Sequence, residues 1–256
     1  MELEIKQLAF FGDSYCFESK NNDRCPIYTD TVKRRGLSRS QAETYIDMLS
    51  DQLQLPVVNF GYPGHGPMWT VHELLEWLDN HKNEIHETYF VFCWSDIRRQ
   101  LIKSWKTCTE PSDHPGEEPI LGPDSPTLTG SNIDPKYVEA LQLYYVYLHT
   151  EQDLTRRGRI VYHALQNIFR DYKIDATQRQ EYFCFNDAKW LNNQTLPFVY
   201  NGVEFDSLYR FAQHFDDYGV QGVDDLLYCN HFSEEGHKGI TEVIRARYEK
   251  HISKRM

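Results

Sequence analysis

The sequence predicts an α/β fold on a parallel sheet, and three observations carry that prediction. Three short apolar runs, Leu8–Phe11, Val57–Phe60 and Tyr89–Cys93, recur within the first 95 residues. Two stretches of helical periodicity separate them. Each run ends in an unusual polar or glycine-rich turn. Strand, helix, strand, helix, strand is the alternation that lays successive strands parallel, with helices as the crossovers.

Leu8-Ala9-Phe10-Phe11 reads as a buried strand that stops at the turn Gly12-Asp13-Ser14. From Gln41 to Gln54, apolar residues fall at positions 42, 45, 46, 49 and 53, which is the spacing of one helix face. Pro56 opens the second run, Val57-Val58-Asn59-Phe60, which ends in Gly61-Tyr62-Pro63-Gly64-His65-Gly66. Positions 71, 74, 75, 77 and 78 mark a second amphipathic helix, and Tyr89-Phe90-Val91-Phe92-Cys93 follows as a third strand, ending in Trp94-Ser95-Asp96.

Glu110–Pro135 breaks the pattern. It holds six of the eleven prolines, three glycines and six acids, and is expected to be a long loop, either a surface excursion or a lid over a site. Tyr137–Arg157 then reads as an amphipathic helix with a basic end, stopped by Gly158. Ile160–Tyr172 reads as another helix, and Tyr182-Phe183-Cys184-Phe185 as a further strand. Ser233 is placed to cap a last helix from Glu234 to about His251, with apolar positions 240, 243, 244 and 248 on one face. No internal repeat interrupts the 256 residues, which read as one domain, 1–256.

Composition excludes several functions. The net charge is −11, from 27 Lys+Arg against 38 Asp+Glu, the wrong sign for a phosphate backbone or an anionic membrane surface. Hydrophobic residues at 40% supply a core, and no apolar run reaches the roughly 18–20 residues of a spanning helix. The start, Met1-Glu2-Leu3-Glu4, lacks the basic and apolar regions of a secretory signal. A soluble chain, cytoplasmic or virus-encoded, is expected. The six cysteines form no Cys-x-x-Cys pair and the eleven histidines no His-Glu-x-x-His, so neither a metal nor another cofactor is expected. Free buried thiols are expected instead of disulfides.

In an open parallel sheet, ligands bind beyond the carboxyl ends of the strands. The three turns offer a serine hydroxyl, glycine amides, and a hydroxyl beside a carboxylate. His231 stands just before the last helix. A serine, a base to take its proton, and convergent donors for an oxyanion are the parts of acyl transfer. The mid-chain Gly-x-Ser-x-Gly elbow of the α/β-hydrolase scheme is not met, since Tyr15 and Cys16 follow Ser14 at the first strand.

These blocks resemble those of the SGNH hydrolases, the GDSL-like lipases and esterases. Phe10-Phe11-Gly12-Asp13-Ser14 is similar to the first block, whose serine is the nucleophile. Asn59-Phe60-Gly61-Tyr62-Pro63-Gly64 is similar to the second, whose last glycine donates its amide to the oxyanion. Phe92-Cys93-Trp94-Ser95-Asp96 falls where the third belongs, and Asn230-His231-Phe232-Ser233-Glu234-Glu235-Gly236-His237 looks like the last, whose first histidine is the base. The blocks keep the family's order from residue 10 to residue 237. The resemblance implies a three-layer α/β/α sandwich with a flavodoxin-like parallel sheet, no metal, and catalytic roles for Ser14, Gly64 and His231. The Ser95-Asp96 and Cys229–Phe232 forms more loosely resemble SGNH-like proteins encoded by tailed bacteriophages.

Two departures bear on mechanism. The family's asparagine of the third block is Ser95, whose hydroxyl also donates but with shorter reach; Arg98 or Arg99 nearby either compensates, binds an anionic part of a substrate, or is a solvated charge. The aspartate three residues before the histidine is Tyr228, which leaves three options: Asp224, Asp225, or a Ser–His dyad without an acid. Cys229 is read as a thiol of the core. The expected function is a serine esterase or deacylase acting on a small-molecule or glycan ester. The alternative is a non-catalytic glycan-binding or assembly module. A phosphodiesterase or nuclease lacks the metal ligands and the basic groove.

Overall fold

The computed structural model describes residues 4–13, 16, 44–61, 66–95, 97, 100–101, 120–121, 151–184, 197–215, 232 and 234–253. In chain order the first elements are β1 (Gln7–Gly12), α1 (Tyr45–Leu53), β2 (Val57–Gly61), α2 (Pro67–Asn80) and β3 (Thr88–Trp94). Next come β4 (Gln100–Leu101), β5 (Ile120–Leu121), α3 (Glu151–Asp171) and β6 (Arg179–Phe183). The chain closes with β7 (Phe198–Tyr200), β8 (Val203–Phe205), α4 (Leu208–His214) and α5 (Glu234–Ser253).

Four strands form the central sheet in the order β2-β1-β3-β6, every pair parallel. The fold is α/β. All three apolar runs are strands, and β3 is buried along its whole length, the state that continuous hydrophobic runs in parallel sheets reflect. Alternation along the strands splits the core in two. Leu8, Phe10, Tyr89, Val91, Cys93 and Tyr182 pack with α1, α4 and α5. Ala9, Phe11, Phe90, Phe92, Trp94 and Phe183 pack with α2 and α3. Because β2 and β3 flank β1 on opposite sides, right-handed crossovers require α1 and α2 on opposite faces, as observed. The α2–α3 side carries an aromatic ladder, with Phe11 stacked on Phe60 at 4.8 Å and Phe92 on Trp94 at 5.0 Å.

One expectation needs correction. Gly158 does not end a helix: α3 runs unbroken through it from Glu151 to Asp171. Gly158 is buried on the same stripe as Val161, Leu165 and Phe169. The helix stops instead at Lys173, with φ 58, where Ile174 N–H reaches back to the Phe169 carbonyl at 2.8 Å, a left-handed cap without glycine. Residues 137–150 lie outside the described part. Within the stretch read as loop, Ile120–Leu121 pairs antiparallel with Gln100–Leu101; the rest of 110–135 also lies outside. The β7–β8 hairpin and α4 were not anticipated.

Among the described residues, no helix is long and apolar enough to cross a membrane.

Candidate active site

The carboxyl ends of β1, β2 and β3 lie side by side. In the ladder Gly12 faces Gly61 on one side and Cys93 on the other. The chain steps from β1 to β2 and then across to β3, so strand order reverses at β1, the kind of position where open α/β sheets bind ligands. The turns that leave these strands are those of the first three sequence blocks.

Close packing explains the two strand-end glycines. A Cβ on Gly12 would sit 2.3 Å from the Cys93 carbonyl oxygen and 3.0 Å from Cys16 Sγ. A Cβ on Gly61 would sit 2.3 Å from the Cys16 carbonyl oxygen. Cys16 is therefore wedged over the ends of β1 and β2, and its N–H donates to the Asp13 carbonyl at 3.0 Å. Asn59 Oδ1 accepts from Gly61 N–H at 2.8 Å and turns the end of β2. α2 begins soon after, with Gly66 as N-cap and Pro67 in the first turn, where a missing N–H costs nothing.

Below this crevice the anchors of the four blocks form one continuous packing unit. The Phe232 ring meets Tyr45 edge-on at 6.1 Å, and Tyr45 Oη shares a hydrogen bond with Cys93 Sγ at 3.6 Å. Cys93 abuts Gly12, and Cys16 bridges Gly12 and Gly61. Segments from both halves of the chain thus converge beneath the same strand ends.

His237 belongs to this unit and is no base. It is buried, and its Nδ1 accepts the Tyr45 backbone N–H at 3.1 Å, satisfying one of the donors left open at the start of α1. Burial lowers its pKa from 6.5 to about 3. Cys16, Cys93 and Cys184 are free, buried thiols. Burial, reinforced by the Cys93 neighbour, pushes Cys16 and Tyr45 well above their usual values, so neither supplies an anion.

Of the predicted site residues, Ser95 is described. It directly follows β3, is 2% exposed, and its Oγ has no hydrogen-bond partner among the described residues. Buried hydroxyls are normally paired, which sets this one apart at the end of β3. Ser14, Gly64, Arg98, His231, Asp224, Asp225 and Tyr228 lie outside the described residues; Asp13, Gly66, Ile97 and Phe232 are the described positions nearest to the first four. Two participants escaped the sequence reading. Asp13 is fully buried, and its Oδ1 accepts from Cys184 Sγ at 3.0 Å. No periodicity marks such a contact, because the partners stand 171 positions apart.

No family model matches the chain, and no curated protein matches it significantly.

Proposed function

We propose that the protein is a serine esterase or deacylase of the SGNH type, acting on a small-molecule or glycan ester. Ser14 Oγ attacks the ester carbonyl while His231 takes its proton. The amides of Ser14 and Gly64, with the Ser95 hydroxyl, hold the oxyanion. Collapse of the tetrahedral intermediate expels the alcohol, protonated by His231, and water then hydrolyses the acyl-enzyme. Asp224 or Asp225 orients the imidazole, or Ser14 and His231 act as a dyad. Arg98 meets an anionic part of the substrate.

The observation that carries this proposal is the register of Gly12 with Gly61 and with Cys93, which sends the first three blocks out of adjacent strand ends at the reversal of strand order. The unpaired buried hydroxyl of Ser95 supports it further. So does the order β2-β1-β3-β6, which is how a flavodoxin-like sheet begins. Incubation with p-nitrophenyl acetate and with a fluorophosphonate probe tests it. Turnover and labelling are expected in the wild type and absent in Ser14→Ala. Glycan binding that survives Ser14→Ala, without hydrolysis by either protein, would replace the enzyme with a binding module.

A further inference from the structure

We propose that Cys184 is a positioning residue for the Ser14 nucleophile, acting through the buried hydrogen bond from its thiol to Asp13; this rests on the serine-hydrolase reading above. The contact has an unusual span. Cys184 is the first residue past β6, and β6 is separated from β1 by β3. Strands about 4.8 Å apart place β1 and β6 roughly 9–10 Å from each other, yet the thiol reaches Asp13 Oδ1 at 3.0 Å. It does so by crossing over the end of β3.

Both ends of the bridge are held. The Cys184 N–H donates to the Trp94 carbonyl at 2.9 Å, and its own carbonyl accepts from Tyr209 N–H, at the start of α4, at 3.0 Å. The thiol is therefore fixed relative to the end of β3. The Asp13 carbonyl accepts from Cys16 N–H at 3.0 Å and from Cys16 Sγ at 3.5 Å. Asp13 is gripped through its backbone from one side and through its carboxyl from the other, with both Asp13 and Cys184 fully buried.

The chain order gives this bridge its function. Ser14 follows Asp13, and Ser95 follows Trp94. Cys184 thus ties together, through its thiol and its backbone N–H, the two backbone points from which the nucleophile and the oxyanion donor extend. A thiol is a weak donor, so its contribution is one of geometry, and geometry is what a nucleophile needs: displacement by an ångström costs on the order of 10² in rate.

The test is the fluorophosphonate labelling rate of the full-length wild type, Ser14→Ala, Cys184→Ala and Cys184→Ser, with near-UV circular dichroism to confirm the fold. Cys184→Ala is expected to label about tenfold more slowly or worse. Cys184→Ser keeps a donor in place and is expected to stay within about threefold of the wild type. Loss of packing alone would not be repaired by a hydroxyl. A folded Cys184→Ala that labels at the wild-type rate overturns the proposal, as does a folded Cys184→Ser slowed as much as Cys184→Ala. If Cys184→Ala does not fold, the serine variant decides: a slowing beyond about tenfold overturns it. A wild type that labels no better than Ser14→Ala removes the hydrolase reading itself, and this proposal with it.

Discussion

The backbone amide of Tyr45 donates to the ring of His237 across 192 positions of sequence, joining the start of α1 to the first turns of α5. The bond requires an unprotonated Nδ1. The Thr241 hydroxyl donates to the carbonyl of the same histidine at 2.7 Å, and the ring lies against Tyr45 at 6.0 Å. The fold therefore holds this histidine neutral.

Part of the pH dependence of stability should come from this residue. The folded pKa is about 3 against an unfolded 6.5, so between those values the unfolded chain binds the extra proton. Stability is then fully present above pH 6.5 and falls as pH drops toward 3, by up to about 1.4 kcal/mol per pH unit. Urea unfolding of the wild type and His237→Gln from pH 7 to pH 4 checks this. The wild-type advantage should shrink as pH falls; a constant gap would show that His237 does not drive the dependence.

Gly61→Ala should destabilise the protein by about 2 kcal/mol or more, since overpacking a filled core carries such costs. The new methyl would meet the Cys16 carbonyl oxygen at 2.3 Å and Cys16 Sγ at 2.7 Å. The closer contact is backbone. Adding Cys16→Ala removes the sulfur and leaves the carbonyl, so the double variant should not recover in chemical denaturation. Full recovery would mean the sulfur, and not the backbone approach, demands the glycine.

How much of this was legible in sequence depended on the kind of signal. β1, β2 and β3 are apolar runs longer than any turn tolerates, and burial in a parallel sheet is the physical cause of such runs. The end of α3 was not legible, because a glycine on a buried helix stripe looks like a glycine at a helix end. The β7–β8 hairpin carries its mark in Asn201-Gly202, both with positive φ, the pair that a type I′ turn requires; a search by periodicity passes over it. At the site, Ser95 was visible as a motif position. The seat of Cys16 and the reach of Cys184 were not, since both arise from sheet order and not from local pattern.

The true end of α3 can be probed directly. Lys173 adopts φ 58, where a Cβ is penalised and glycine is not. Lys173→Gly should raise stability by about 0.5–1 kcal/mol, seen as a higher denaturation midpoint at unchanged slope. A lower midpoint would mean that the lysine side chain contributes more than its backbone strain costs.

Ser95 separates stability from catalysis most sharply. Its hydroxyl is buried and has no partner among the described residues, a state that costs about 1–3 kcal/mol relative to a paired or absent group. Ser95→Ala removes that burden and leaves only a small void, so it should fold as stably as the wild type or more so. If the hydroxyl donates to the oxyanion, the same change should lower turnover by about 10²–10³, with substrate affinity little altered because the donor acts on charge that develops in the transition state. Thermal unfolding and steady-state kinetics on p-nitrophenyl acetate measure both. A group kept at a cost to folding and lost at a cost to rate is one the site uses. A variant equally stable and equally active would return Ser95 to the role of a strand terminus and leave the oxyanion to backbone amides alone.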